Sequence, residues 1–286
     1  MRRPRRLAAP SAGVYDPGMA RHVTEVANAT YVLNYRYLNQ NIGVIVGRDE
    51  AAVIDTRSSP GQAGEILDDV RGITKLPVRI VIDTHGHSDH AFGNVVFRPA
   101  AIWGHARCPA FLARTGEHQR SDTMKELPDE ADAIRDLVID PPDRLVDERA
   151  TIDVGGRLVE LLHLGRGHTD NDLVIRVPDA GVVFAGDLVV KSDSPYFGDS
   201  YPLDFPATVA AIGMLDWDVL VTGHGGLGDR TYLAFHEGRL ANLAAIAETA
   251  HRAGVPWRDV IAGVPLPRQS AIDGLTRAYA QLDGTL

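Results

Sequence analysis

The sequence predicts an α+β fold in which two mixed β-sheets pack face to face and helices cover the outside. Strand-like segments come in two batches, each followed by helical sequence, which suits such layers. A short continuous apolar run at residues 78–82 suits a strand buried on both faces. The residues with chemical potential fall at strand ends or in the loops just beyond them, where function concentrates.

Each element has its own signal. Residues 30–37 are rich in β-branched and aromatic side chains, and residues 42–46 and 51–54 are apolar runs separated by a turn-like Gly47-Arg48-Asp49-Glu50. Residues 60–70 read as a helix, with Ile66, Leu67 and Val70 on one side. Ile102-Trp103 suggests a short strand, followed by a helix near residues 109–113. Residues 115–150 are polar and contain Pro128, Pro141 and Pro142, so a helix-containing insertion beside the core is expected there. Strands resume at residues 151–154, 158–163, 173–177, 182–184 and 219–222. Residues 192–206 read as a loop, and helical sequence begins at about residue 231, with a stripe of Leu233, Leu240, Leu243, Ile246 and Ala247.

Composition limits the function. The chain has 286 residues, enough for one sizeable domain, and is 44% hydrophobic and 23% charged. Its formal net charge of −9 argues against nucleic acid as a partner. Cys108 is the single cysteine, so no intramolecular disulfide can form. Residues 1–20 are expected to be a mobile basic tail, and 21–286 a single domain. The arginine-rich start is not followed by the apolar run that a secretory signal needs, and no segment reaches the roughly 20 apolar residues of a membrane helix. A cytoplasmic setting, no membrane partner and a small-molecule substrate are therefore expected; nothing in the sequence fixes an oligomeric state.

The chemistry is concentrated in His85-Gly86-His87-Ser88-Asp89-His90, directly after the 78–82 strand. Imidazole nitrogen and carboxylate oxygen are both good zinc ligands. His85 and His87 are two residues apart, so an extended stretch points them the same way, while Asp89 and His90 can address a second ion. His168 lies in a glycine-rich loop, Leu164-Gly165-Arg166-Gly167-His168. Asp187 follows the apolar Val182-Val183-Phe184-Ala185-Gly186, and a carboxylate there can bridge two ions by using both oxygens or by sharing one. His224 repeats the design of strand, glycine, ligand, glycine. His163 lies within an alternating strand and reads as structural, and Cys108 reads as buried packing.

This ordered set resembles the metallo-β-lactamase superfamily, whose hallmark is His-x-His-x-Asp-His followed by His, then Asp or Cys, then His. The resemblance runs from about Thr30 to Gly226. It implies a four-layer αββα sandwich with a binuclear site at one edge. By that resemblance His85, His87 and His168 hold the first metal; Asp89, His90 and His224 hold the second; Asp187 bridges them. Two zinc ions are implied, with iron or manganese as alternatives. Zinc β-lactamases with a cysteine ligand place that cysteine where this chain has Asp187, and carry a lysine three residues later; here Lys191 comes one position further on.

The activity expected is that of a binuclear, zinc-dependent hydrolase. A metal-bound hydroxide, oriented by Asp89, attacks the carbonyl of a small ester, lactone or β-lactam. Tyr196, Phe197 and Tyr201 in the 192–206 loop either wall a substrate pocket or pack the loop. The rivals are a thioester hydrolase of glyoxalase II type, a mononuclear iron persulfide dioxygenase and a nuclease of the RNA-processing branches, the last of which the acidic charge disfavours. A closed, non-enzymatic metal module fits poorly with so many ligands around two ions.

Overall fold

The computed structural model describes residues 22–191 and 194–286. The expected basic tail at 1–20 lies outside the described residues, as does part of the loop that begins at 192.

The chain starts as a meander of β1 (His22–Ala27), β2 (Thr30–Tyr35), β3 (Gln40–Val46) and β4 (Ala51–Ile54), paired antiparallel. Helix α1 (Pro60–Ile73) then crosses over to β5 (Val78–Ile82), which runs parallel to β4. Its start is fixed by Ser59, whose side chain accepts from the Gln62 amide, and by Pro60 in the first turn. A single turn, α2 (Ser88–Ala91), precedes β6 (Ala101–His105), and α3 (Cys108–Glu126) and α4 (Ala131–Asp136) lead to β7 (Arg144–Val146). These strands form a seven-stranded sheet in sequence order.

The second sheet has the order β12-β11-β10-β9-β8. It comprises β8 (Arg149–Asp153), β9 (Leu158–Leu162), β10 (Val174–Val177), β11 (Val182–Phe184) and β12 (Val219–Val221). Only β11 and β12 pair parallel, because α5 (Phe205–Gly213) intervenes as a crossover. Helices α6 (Arg230–Arg252) and α7 (Arg268–Leu282) complete the outer layer, with Asp229 capping α6 through the Tyr232 amide at 2.7 Å.

Strand alternation builds the layers. In β5, Ile80 and Ile82 face the second sheet, where they meet Leu161, Ile175 and Phe184, whereas Val81 faces α1 with Ile66 and Val70. Val32 and Leu33, and Ile45 and Val44, divide in the same way. The outer face of the second sheet buries Val174, Val183 and Leu220 against α5, α6 and α7. Two mixed sheets between helical layers are the architecture the sequence predicts.

The differences are local. Residues 36–37 leave the first expected strand, because the chain turns through Leu38 and Asn39 in the left-handed region at φ 56° and 50°. The helix expected near 109–113 extends to Glu126. The stretch 115–150, expected to be a helix-containing insertion, is helical only as far as Asp136. It then supplies β7 and the first residues of β8, the link between the two sheets. A three-residue strand behind Pro141-Pro142 is too short to show a period of two. No helix among the described residues is long and apolar enough to cross a membrane.

Candidate metal centre

The site lies at one edge of the sandwich, where both sheets end. Beyond Ile82, Asp83 and Thr84 lead to His85 and His87, and α2 carries Asp89 and His90. The loop from β9 to β10 brings in His168, the turn after β11 brings Asp187, and the residue pair beyond β12 leads to His224.

All seven predicted side chains converge. His85, His87 and His168 form one group able to hold an ion; Asp89, His90 and His224 form another; His85, His90 and Asp187 lie close enough to form a third. In the first group, His85 Nε2 and His168 Nε2 stand 3.0 and 2.9 Å from His87 Nδ1. In the second, His90 Nε2 and His224 Nε2 each lie 3.2 Å from Asp89 Oδ2. Asp187 spans the two: Oδ1 is 3.5 Å from His90 Nε2 and 3.3 Å from His224 Nε2, and Oδ2 is 3.6 Å from His168 Nε2.

The arrangement fits cations. His90 Nε2 and Asp187 Oδ1 are buried without a hydrogen-bond partner, which a folded protein rarely tolerates. Burial holds the His85 imidazole well below its ordinary pKa and His168 down to about 4, so both present neutral nitrogens. Burial alone would raise the Asp89 and Asp187 carboxyls, but His90 and His224 beside them hold both well below the usual carboxylate range. The same attraction lifts His224 to about 10 against the cost of its burial.

The ring nitrogens that face away from the centre are held by residues the sequence reading missed. Asp55, just past β4, accepts from His90 Nδ1 at 2.8 Å and from the Thr84 hydroxyl at 2.9 Å, and Thr84 Oγ1 lies 3.1 Å from His85 Nδ1. The Leu38 carbonyl accepts from His224 Nδ1 at 2.8 Å, and both Asp199 oxygens lie 3.1 Å from His87 Nε2. The Gln40 amide donates to the Asp89 carbonyl. Asp55 had a readable signal, since an apolar strand ending in Asp also marks Asp187. A backbone carbonyl such as Leu38 has no sequence signature.

The other expectations divide. Cys108 is buried outside every candidate metal group, as the packing reading expects. His163 donates from Nδ1 to the Asp172 carbonyl at 2.9 Å, and its ring lies tilted against that of His105 at 4.1 Å. Lys191 donates to the Leu227 carbonyl at 2.9 Å. Of the loop aromatics, Tyr196 flanks the centre, its ring 5.8 Å from that of His87 and 6.1 Å from that of His168. Phe197 is buried in the outer core against Phe205, and Tyr201 lies under Arg166.

Fold and site together define a two-sheet sandwich with clustered metal-ligand side chains at its edge. The family model "Metallo-beta-lactamase superfamily" matches residues 35–226, and the chain belongs to that superfamily of hydrolases. It is 22% identical over 233 residues to a metallo-β-lactamase type 2 of Bacillus cereus, covering 73% of this chain and 82% of that protein. Among solved structures, a metallo-β-lactamase from Pontibacter korlensis aligns with a TM-score of 0.63 at 19% identity, over 77% of this chain and 99% of that one. The inverting sec-alkylsulfatase Pisa1 from a Pseudomonas species aligns with a TM-score of 0.76 at 17% identity, over 92% of this chain but 50% of that one. At these identities the structural likenesses establish the fold.

Proposed function

We propose that this protein is a binuclear, zinc-dependent hydrolase that cleaves an acyl bond of a small molecule. The observation that carries the reading is Asp187, whose two oxygens face the two groups separately while Oδ1 is buried without a hydrogen bond. His85, His87 and His168 would hold the first ion, Asp89, His90 and His224 the second, and Asp187 would be shared. When bound, such ions supply Lewis acidity, polarising a carbonyl and acidifying water toward neutral pH.

The chain's own residues do the rest. Asp89 is the most open carboxylate of the set, 17% exposed against 10% for Asp187, and it orients the attacking water. The outer hydrogen bonds from Asp55, Thr84 and Leu38 fix the imidazoles in place. A cleft of about 410 Å³ opens alongside Asp199, with Phe111 and Tyr201 among its walls, which suits a small-molecule ligand. The net charge of −9 supports a small substrate over nucleic acid, and we take the setting to be cytoplasmic.

The test pairs metal analysis with rates. Protein purified without chelator is expected to carry close to two equivalents of zinc and to hydrolyse activated esters, lactones or β-lactams with a higher kcat/KM than S-lactoylglutathione or phosphodiesters. One equivalent of iron, with oxygen consumed on persulfides, refutes the hydrolase reading. A tenfold preference for the thioester or phosphodiester, about 1.4 kcal/mol of transition-state binding, refutes the substrate class.

A further inference from the structure

We infer that Asp199 is a positioning residue for the first metal site, and that helix α7 holds it there through Arg277. The inference rests on the metal-centre reading above.

Each group of ligands contains one histidine backed by a carboxylate: His90 by Asp55 and His87 by Asp199. Asp55 is built into the first sheet at the end of β4, next to the histidines it serves. Asp199 comes from the far side of the seam, in the segment between β11 and α5. Its oxygens lie 3.1 Å from His87 Nε2, while His87 Nδ1 faces His85 and His168. That bond fixes which ring nitrogen bears the proton and leaves Nδ1 with its lone pair toward the ion.

His87 needs this support more than its neighbours. Its side chain is 13% exposed, whereas those of His90 and His168 are at 0% and 2% and are confined by packing. The rings beside it are Phe111 at 5.6 Å and Tyr196 at 5.8 Å, both meeting it edge to face.

The loop that presents Asp199 is tied to α7. Arg277 donates from Nε and Nη2 to the Ser200 carbonyl at 3.1 and 2.9 Å, and the Gln281 side chain accepts from the Leu203 amide at 3.0 Å. Phe197 anchors the same loop in the core shared with Ala271, Leu275 and Ala278 of α7. Helix α7 lies beyond residue 226, where the family match ends.

The experiment measures metal affinity, independently of turnover. Wild type, Asp199→Ala, Asp199→Asn and Arg277→Ala are titrated with zinc against a chromophoric chelator, and with cobalt for the d–d spectrum. Asp199→Ala is expected to weaken one of two sites by roughly 10–100-fold and leave the other within about twofold. Its cobalt spectrum should change at the weakened site. Asp199→Asn, which keeps an acceptor of the same size, is expected to recover part of that loss; Arg277→Ala should lose affinity at the same site. Equal melting temperatures of the metal-free proteins exclude unfolding as the cause. Wild type that takes up two zinc ions beside an Asp199→Ala variant with unchanged affinities overturns this inference alone. Wild type that takes up none overturns the metal-centre reading and this inference with it.

Discussion

Replacing Gly223 by alanine tests the proposed bridge without replacing a candidate ligand. A Cβ at this position would stand 1.9 Å from Asp187 Oδ1 and 2.8 Å from the Gly186 carbonyl carbon. Comfortable contact needs roughly 3.5 Å, so the carboxylate must retreat by roughly 1.5 Å. The backbone of Gly223 does not adopt a positive φ, so alanine adds no φ strain, but the contact with the Gly186 backbone displaces the Gly186-Asp187 turn together with the carboxylate. Asp187 cannot move so far and still face both groups. A displacement of about 1 Å at a reacting centre costs on the order of 100-fold in rate. Gly223→Ala is therefore expected to lose activity by about that factor and to retain less than two equivalents of metal after dialysis. Gly226→Ala is the control: its nearest neighbour would be Lys191 Cδ at 3.9 Å, and it should behave as wild type. Elemental analysis and kcat/KM on one activated ester decide the matter. Full metal content with activity within threefold of wild type would show that the carboxylate position is not critical.

Two further outcomes are expected. Cys108→Ser places a hydroxyl in a fully buried site and should cost about 1–3 kcal/mol in urea unfolding while leaving the metal content unchanged; zinc loss would assign the thiol a ligand role. His236 is wholly buried with Nε2 3.1 Å from the Leu188 carbonyl, and burial lowers it from 6.5 to about 4. Between those values the unfolded chain takes up a proton that the folded chain refuses, so stability is full above pH 6.5 and falls as the pH drops toward 4. The loss approaches roughly 3 kcal/mol, and His236→Gln, which keeps a donor, should remove that share; parallel pH curves for the two proteins would contradict it.

What could be read from the sequence follows from how locally each feature is encoded. The run from His85 to His90 needs no tertiary knowledge, because six consecutive residues hold four candidate ligands of two types. Asp187 and His224 each follow an apolar strand and a glycine, a local pattern. Asp199 has no such frame: Gly198-Asp199-Ser200 is ordinary turn sequence, and its meaning comes from a contact with His87 across 112 positions. Tyr196 and Phe197 show the same limit. Adjacent aromatics looked alike in sequence, yet one is 59% exposed beside the histidines and the other is core. β7 was hidden for another reason, since its three residues show no alternation and it is defined by its pairing with β6.

The placement of the ligands across the seam between the sheets bears on the integrity of the whole sandwich. In the proposed assignment each ion draws donors from both halves: His85 and His87 with His168, and Asp89 and His90 with Asp187 and His224. An ion so held is a cross-link, and the two halves cannot part without releasing it. Folding and loading then become one equilibrium, in which free metal at 100 times its dissociation constant adds about 2.7 kcal/mol per ion to the work of unfolding. Chelation would be felt far from the histidines, as earlier melting of strands and helices that never touch a metal.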